Sequence, residues 1–177
     1  MKLVILDRDG TINYDSDLHI KSPGEWRPIE GSLEAIARLT QAGYRVVVAT
    51  NQSGIARGLL DSATLVSIHD KLQRAAAQAG GRIDAFFFCP HAADSACECR
   101  KPKPGMLKEI ARRFNHSLEH AYMVGDAQRD LEAAAGAGAR PVLVLTGKGQ
   151  RTLDEGRLPP GTEVYPDLAA FARHLAP

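Results

Sequence analysis

The sequence predicts an α/β fold built on a buried, mainly parallel sheet. Along the chain, short runs rich in β-branched residues alternate with segments of helical period, a pattern typical of successive strand–helix units. A chain of 177 residues with 44% hydrophobic residues can form one core of good size and leaves little room for a second. We therefore expect a single domain that covers residues 1–177.

The individual elements follow from the same patterns. Strands are predicted at residues 3–6, 45–49, 83–88, 121–124 and 142–145, with a last short strand near Val164. Apolar residues at helical spacing predict helices around residues 33–39, 65–76, 107–114 and 131–135, and a terminal helix closes the chain. Ser62 is expected to cap the second helix, and residues 146–160, rich in Gly, Pro and charge, to form a surface loop. Because no long insertion separates these elements, we expect no separate cap domain.

The charge balance and the hydropathy pattern exclude several classes of partner. Lys and Arg total 22 against 21 for Asp and Glu, so nothing favours binding to nucleic acid or to an anionic membrane surface. Only four apolar residues separate Lys2 from Asp7, too few for a secretory signal, and no later run approaches the roughly 18 apolar residues of a membrane span. We expect a cytoplasmic monomer whose partner is a small molecule.

Two carboxylates, Asp7 and Asp9, follow the first predicted strand directly. The carboxyl ends of parallel strands are where such sheets bind ligands, and a divalent cation would relieve the repulsion between two acids and a phosphate dianion. Asp7 is then the expected nucleophile, forming an acyl-phosphate. Asp9 would protonate the leaving oxygen and later activate water. An isolated pair at this spacing is as often a solvated acidic turn, so the decision rests on the rest of the chain.

Three further polar segments follow predicted elements. The run from Thr50 to Gly54 follows the second strand and offers hydroxyl and amide donors for phosphate oxygens. The basic segment at residues 100–105 contains Lys101, and a lysine there can offset charge on a transferring phosphoryl group. Asp126 follows the fourth strand and is an expected magnesium ligand. Asp130, at the start of the next helix, could stabilise the helix N-terminus or act in catalysis.

In this order, the sequence DRDGT at residues 7–11, Thr50, Lys101 and the pair Gly125-Asp126 resemble the haloacid dehalogenase (HAD) superfamily of phosphohydrolases over nearly the whole chain. The resemblance implies a Rossmann-like three-layer sandwich with a minimal cap. It also implies that Asp7 is the nucleophile, that Asp9 is the acid and base, and that Thr50 and Lys101 are phosphate ligands. A magnesium ion would be held by Asp7, by Asp126 and by the backbone carbonyl of Asp9.

All three cysteines fall within eleven residues. Cys89, His91, Cys97 and Cys99 together supply the ligand set of a closed, tetrahedral structural zinc site. An odd number of cysteines so close together does not make a disulfide framework, and the spacing favours zinc over unrelated buried thiols. The metal would tie down residues 89–99 and thereby position residues 100 and 101.

The zinc loop, the sequence TNQSGIARG at residues 50–58 and the sequence CRKP at residues 99–102 resemble the subfamily of heptose bisphosphate and histidinol phosphate phosphatases. The resemblance implies removal of the 7-phosphate of D-glycero-D-manno-heptose 1,7-bisphosphate, a step toward nucleotide-activated heptose for the lipopolysaccharide core, with histidinol phosphate as the alternative substrate. It implies substrate contacts from the following residues: Asp15, Ser16, Asp17, Leu18, Asn51, Gln52, Ser53 and Arg100.

One position departs from the subfamily pattern. The residue after the magnesium aspartate is often lysine, whereas here it is Ala127, and Gln128 or Arg129 could replace that contact. An interpretation from a different class, a non-catalytic binding module stabilised by zinc, leaves the four ordered motifs at strand ends unexplained.

Overall fold

The computed structural model describes residues 1–177 and confirms the predicted α/β class. Its strands are β1 (Lys2–Leu6), β2 (Tyr44–Asn51), β3 (Ala85–Cys89), β4 (Tyr122–Gly125), β5 (Arg140–Val144) and β6 (Glu163–Tyr165). They form one sheet in the order β3-β2-β1-β4-β5-β6, and every neighbouring pair is parallel. All six predicted strands are present, with ends that differ by a few residues.

Helices cover both faces of this sheet. They are α1 (Ser32–Gln41), α2 (Ser62–Gln78), α3 (Gly105–Arg113), α4 (Gln128–Ala137), α5 (Gly149–Asp154) and α6 (Leu168–Leu175). Helices α1, α2 and α6 contribute to one core of 22 buried residues, and α3 and α4 contribute to a second core of 14. The two cores on opposite faces make the predicted three layers. None of the helices combines the length and apolar character needed to cross a membrane.

Strand β1 shows why the sheet is buried on both sides. Val4 and Leu6 belong to the larger core, whereas Leu3 and Ile5 belong to the smaller one, as the two-residue period of a strand requires. From β1 the chain builds β2 and β3 on one side and then crosses to β4, β5 and β6 on the other. Such a change of direction opens a crevice at the carboxyl ends of the two central strands.

Two local predictions were wrong. Asp61, not Ser62, caps α2, because its extended backbone lets its carboxylate accept a hydrogen bond of 2.8 Å from the Thr64 amide. The predicted loop at residues 146–160 contains the short helix α5. Thr152 of that helix is buried and its hydroxyl donates to the carbonyl of Asp126 at 2.8 Å, so tertiary packing against the sheet edge stabilises a segment whose composition favoured a loop.

Candidate active site and metal centres

A polar cleft of about 290 Å³ lies at the carboxyl ends of the central strands. No hydrophobic residue lines it, which suits a charged and hydroxylated ligand better than an apolar one. Its lining consists of these residues: Asp7, Asp9, Asp15, Ser16, Asp17, His19, Thr50, Asn51, Ser53, Arg57, Arg100, Arg129 and Lys148. The cleft therefore brings together residues from three of the four predicted motifs, together with Arg129, which lies three residues after the fourth.

Lys101 lies beneath the cleft as a buried ammonium group. Its Nζ lies 2.9 Å from Oδ1 of Asp7 and 2.7 Å from Oδ1 of Asp130, and it donates to the carbonyl of Ala49 at 2.8 Å. Burial alone would lower the pKa of Lys101, but the carboxylates of Asp130 and Asp7 outweigh it and raise that pKa. The lysine is therefore a fixed positive charge beside Asp7.

Asp130 forms a hydrogen bond at the start of α4 and an ion pair with Lys101. One carboxylate oxygen accepts a hydrogen bond of 3.1 Å from the Ala127 amide at the start of α4, and the other oxygen pairs with Lys101. Of the two roles left open by the sequence, the helix N-terminus contact is therefore present, and the same side chain also orients the buried lysine.

Carboxylate oxygens of Asp7, Asp126 and Asp130 lie within 4.8 Å of one another. Burial, followed by the neighbouring carboxylates, raises the pKa of Asp126 to about 8. Burial and Asp130 likewise raise the pKa of Asp7 to about 6, although Lys101 opposes this. Oδ1 of Asp126 is buried without a hydrogen-bond partner. A set of hard oxygen donors with excess negative charge fits a Mg²⁺ ion.

The backbone around Asp126 is packed closely enough to fix its carboxylate. Oδ2 accepts a hydrogen bond of 2.8 Å from the Lys148 amide. Gly10, with a φ of +83°, passes so close that any Cβ there would collide with the Asp126 side chain. The glycine of the DRDGT sequence is therefore required by close approach as well as by its left-handed backbone.

The side chain of Asp9 lies apart from this acidic cluster. Its carboxylate accepts hydrogen bonds from Nε of Arg8 at 2.7 Å and from Nη2 of Arg8 at 3.2 Å. It also accepts from the side-chain amides of Asn13 at 3.0 Å and Gln52 at 3.4 Å. Burial by itself would raise the pKa of Asp9, but Arg8 and the two amides outweigh it and lower that pKa. The magnesium contact predicted for Asp9 uses its backbone carbonyl and does not conflict with this orientation.

Some polar residues at the end of β2 line the cleft, and some hold neighbouring residues in place through hydrogen bonds. Asn51 exchanges two hydrogen bonds with the backbone of Lys101, of 3.0 and 3.1 Å. Gln52 is buried, donates to the Thr50 hydroxyl at 2.9 Å and does not line the cleft. Thr50, Asn51 and Ser53 do line it. Gln52, predicted to contact the substrate, is therefore not a lining residue, and its amide donates to two residues that are, Thr50 and Asp9.

The loop at residues 15–18, predicted to contact the substrate, likewise lines the cleft only in part. Asp15, Ser16 and Asp17 line the cleft, whereas Leu18 is 74% exposed and lies outside the lining. Arg100 also lines the cleft and donates to the carbonyl of His91 at 3.3 Å.

Several cations of the cleft were not singled out from the sequence, among them Arg57 and Lys148. Lys148 lies in the segment predicted to be a surface loop, so composition gave no signal for it. Of the two residues proposed to compensate for Ala127, Gln128 is bonded to Glu132 and to the carbonyl of Arg157, outside the cleft.

Arg129 faces the cleft, and its Nε is buried without a partner. Burial would lower the pKa of this guanidinium, but the surrounding carboxylates, Asp130 and Asp7 first, outweigh it and raise that pKa. Arg129 therefore presents a full positive charge at the cleft, and its buried Nε is not bonded to another protein group.

The four predicted zinc ligands lie together beside the cleft. Their ligand atoms are within 4.8 Å of one another. Cys89 Sγ lies 3.8 Å from Cys97 Sγ and 3.0 Å from Cys99 Sγ, and His91 Nδ1 lies 3.3 Å from Cys99 Sγ. A tetrahedral site with Zn–S bonds of about 2.3 Å places its sulfur ligands about 3.8 Å apart. All three thiols are free, and burial and the neighbouring sulfurs raise the pKa of Cys99 to about 12. The residue set fits a structural zinc ion, whose charge would favour the thiolates.

Known proteins and solved structures are similar to this chain over nearly its whole length. Residues 98–171 match the Hydrolase-like (HAD-hydrolase-like) family model. The chain is 61% identical over 175 residues, 99% of this chain and 98% of the relative, to D-glycero-β-D-manno-heptose-1,7-bisphosphate 7-phosphatase of Bordetella bronchiseptica. It is 56% identical over 175 residues, 99% of both chains, to the protein of the same name from Pseudomonas putida.

Solved structures agree with these matches. The crystal structure of D,D-heptose 1,7-bisphosphate phosphatase from B. bronchiseptica, complexed with magnesium and phosphate, superposes with a TM-score of 0.97 at 60% identity, covering 99% of this chain and 98% of that chain. The corresponding enzyme from Burkholderia thailandensis gives a TM-score of 0.80 at 55% identity, with the same two coverages. The chain therefore belongs to the HAD-like hydrolases, within the family of the D-glycero-β-D-manno-heptose-1,7-bisphosphate 7-phosphatases.

Proposed function

We propose that this chain is a magnesium-dependent phosphatase that removes the 7-phosphate of D-glycero-β-D-manno-heptose 1,7-bisphosphate. The observation that carries the proposal is the buried Asp7–Lys101 pair at the base of an entirely polar cleft, in a chain 50–61% identical to relatives that bear this activity in their names. We place the reaction in the supply of nucleotide-activated heptose for the lipopolysaccharide core.

In the first step, a carboxylate oxygen of Asp7 attacks the phosphorus atom of the 7-phosphate. The bond between phosphorus and the sugar oxygen breaks, and Asp9 donates a proton to that oxygen, so the sugar leaves as an alcohol. Lys101 and the Thr50 hydroxyl stabilise the charge on the phosphoryl oxygens. The 2.9 Å contact between Lys101 and Asp7 supports this arrangement, because a cation that touches the nucleophile is also within reach of the group it attacks.

In the second step, Asp9, now a carboxylate, takes a proton from a water molecule whose oxygen attacks the phosphorus of the aspartyl-phosphate. The bond between phosphorus and Asp7 breaks, which releases inorganic phosphate and regenerates the Asp7 carboxylate. The low pKa of Asp9, set by Arg8 and two amides against its burial, supports its role as the base of this second step, and the proton that it takes from water is the one it donates to the leaving oxygen in the next turnover.

Two metal ions belong to this proposal. Asp7, Asp126 and the backbone carbonyl of Asp9 would hold Mg²⁺, which neutralises phosphate charge and polarises the phosphoryl oxygens; the raised pKa values of Asp7 and Asp126 support a cation there. Zinc bound by the cluster at residues 89–99 would have a structural role, since four protein ligands leave no open position.

The cations that line the cleft would bind the remaining part of the substrate, the sugar with its 1-phosphate. With the 7-phosphate at Asp7, the sugar and its 1-phosphate extend toward the lining formed by Arg57, Arg100, Arg129 and Lys148. Guanidinium groups bind phosphate through paired hydrogen bonds. Four cations around one cleft therefore suit a substrate with two phosphates better than one with a single phosphate.

The test is a comparison of substrates in the presence of magnesium. We expect kcat/KM for the heptose bisphosphate to exceed that for histidinol phosphate, and ³¹P NMR to show release of the 7-phosphate while the 1-phosphate stays on the sugar. A preference for histidinol phosphate, or release of the 1-phosphate, would contradict the proposal.

A further inference from the structure

A buried arginine and a buried histidine stand behind Asp9. Arg8 and His69 are 0% and 7% exposed, yet neither touches the cleft. Nε and Nη2 of Arg8 bind the two oxygens of Asp9, and Nη1 lies 3.2 Å from Nε2 of His69. The three side chains form one continuous hydrogen-bonded chain from the middle of α2 to the carboxylate.

The direction of the bond between Arg8 and His69 follows from the chemistry of the two groups. A guanidinium can only donate hydrogen bonds, so Nε2 of His69 accepts and the ring proton lies on Nδ1. Burial and the charge of Arg8 lower the pKa of His69 to about 3, which keeps the ring neutral. The ring also stacks on Phe86 of β3, with centroids 4.4 Å apart and planes 12° from parallel.

We propose that His69 is a positioning residue for the acid and base of the reaction: it holds Nη1 of Arg8, and Arg8 presents its Nε and Nη2 edge to Asp9. The inference rests on the proposed function, in which Asp9 transfers the proton. Proton transfer depends on a carboxyl group held within hydrogen-bond reach and in the correct orientation. Arg8 has a long flexible side chain, and anchoring one of its nitrogens fixes the edge that faces Asp9.

Stability alone does not account for this arrangement. Buried ion pairs can often be replaced by apolar residues of similar volume without loss of stability, so the core did not need an arginine at this position. The charge lies instead where it contacts the one carboxylate that must exchange protons during turnover.

The test compares two substitutions at residue 69. His69→Phe keeps an aromatic ring that can stack on Phe86 but removes the acceptor, whereas His69→Gln keeps an acceptor for Arg8. Leu72→Ala, which truncates a fully buried residue in the next turn of α2, serves as a control for a merely destabilised core. All variants are assayed well below their Tm, with magnesium, on the heptose bisphosphate and on p-nitrophenyl phosphate.

The two substrates separate positioning from structure. kcat/KM reports phosphoryl transfer to Asp7, in which the sugar alkoxide needs the proton from Asp9 while the weakly basic nitrophenolate needs it little. We expect His69→Phe to lower kcat/KM for the bisphosphate by roughly 10- to 100-fold and to affect p-nitrophenyl phosphate far less. His69→Gln should retain most of the activity on both, and Leu72→Ala should lower Tm without altering the ratio between the substrates.

Equal losses of His69→Phe on both substrates, or no loss on either, would overturn the inference while the proposed function stands. A wild-type protein without phosphatase activity on either substrate would overturn both.

Discussion

Nζ of Lys101 lies 2.9 Å from Oδ1 of Asp7, although 94 positions separate the two residues in the chain. Both side chains are almost completely buried, and the ammonium is shared with Asp130. The proposed nucleophile is therefore oriented by a cation that the protein holds in place before any ligand enters, and this cation opposes the rise in the pKa of Asp7 that burial and Asp130 cause.

Replacing Asp7 by Asn removes the proposed nucleophile with little change of volume. We expect kcat to fall by at least about 1,000-fold, because no other carboxylate can form the aspartyl-phosphate. Asp70→Asn, at an exposed residue paired with Arg74 on α2, is the control and should leave kcat unchanged. Steady-state kinetics with a thermal melt of each variant checks this, and undiminished turnover by Asp7→Asn would exclude the covalent mechanism.

Replacing Lys101 by Met removes the buried cation from among the carboxylates. We expect at least about a 100-fold loss of kcat/KM from lost charge stabilisation, accompanied by a lower Tm because Asp7 and Asp130 are left without their partner. Lys108→Met, at an exposed position of α3, should change neither quantity. If the two variants have the same kcat/KM and the same Tm, Lys101 is not part of the active site.

Arg129 is expected to bind the substrate, because its guanidinium faces the cleft and its Nε has no protein partner. Arg129→Met should lower kcat/KM for the bisphosphate by roughly 10- to 100-fold, the range of a lost charged hydrogen bond. Gln128→Met, at the neighbouring position outside the cleft, is the matched control. If the two variants have the same kcat/KM, the cleft uses another cation in place of the lysine common in the subfamily.

The stability of the magnesium-free protein should depend on pH in a defined direction. The pKa values of Asp7 and Asp126 are raised to about 6 and about 8 in the folded protein, so the folded state binds protons that the unfolded state has already released. Stability contributed by these groups is lost as the pH rises through those values. Tm in magnesium-free buffer should therefore be lower at about pH 9 than at about pH 6.

Added magnesium should weaken this dependence, because the cation takes the place of the protons. Asp126→Asn, which removes the more strongly shifted group, should flatten the Tm profile in the absence of metal. A Tm that rises from pH 6 to pH 9 without magnesium would contradict the repulsion inferred for the acidic cluster.

The cysteine cluster should hold about one zinc ion per chain, measured by mass spectrometry of the metal content. His91→Asn removes one of its four ligands and should lower both the zinc content and the Tm. It should also lower kcat, since residues 100 and 101 directly follow Cys99. His116→Asn, in the loop after α3, serves as the control. A full zinc complement in His91→Asn would rule out this ligand set.

The sequence by itself determined the order along the chain of the strands and of every helix but α5, and it indicated most residues of the candidate site. The apolar periods that predict β1 to β6 reflect burial on both faces of the sheet, which the structure reproduces. The candidate zinc ligands could be predicted as a set because they lie within eleven residues, so that few conformations of the short segment are needed to bring them together. Asp7, Asp9 and Asp126 were identifiable because strand ends in such sheets converge on one edge.

Only the tertiary structure decided where the side chains point. Asp9 turns toward Arg8, Gln52 turns away from the cleft, and Arg129 enters it in place of Gln128. Contacts between residues far apart in the chain contribute to two of these orientations: Gln52 donates to Asp9 across 43 positions, and His69 contacts Arg8 across 61. Helix α5 forms for the same reason, because its Thr152 bonds to Asp126 across the sheet edge. The periodicity of the sequence indicates which residues are buried. Long-range packing and hydrogen bonding determine which residues those side chains contact.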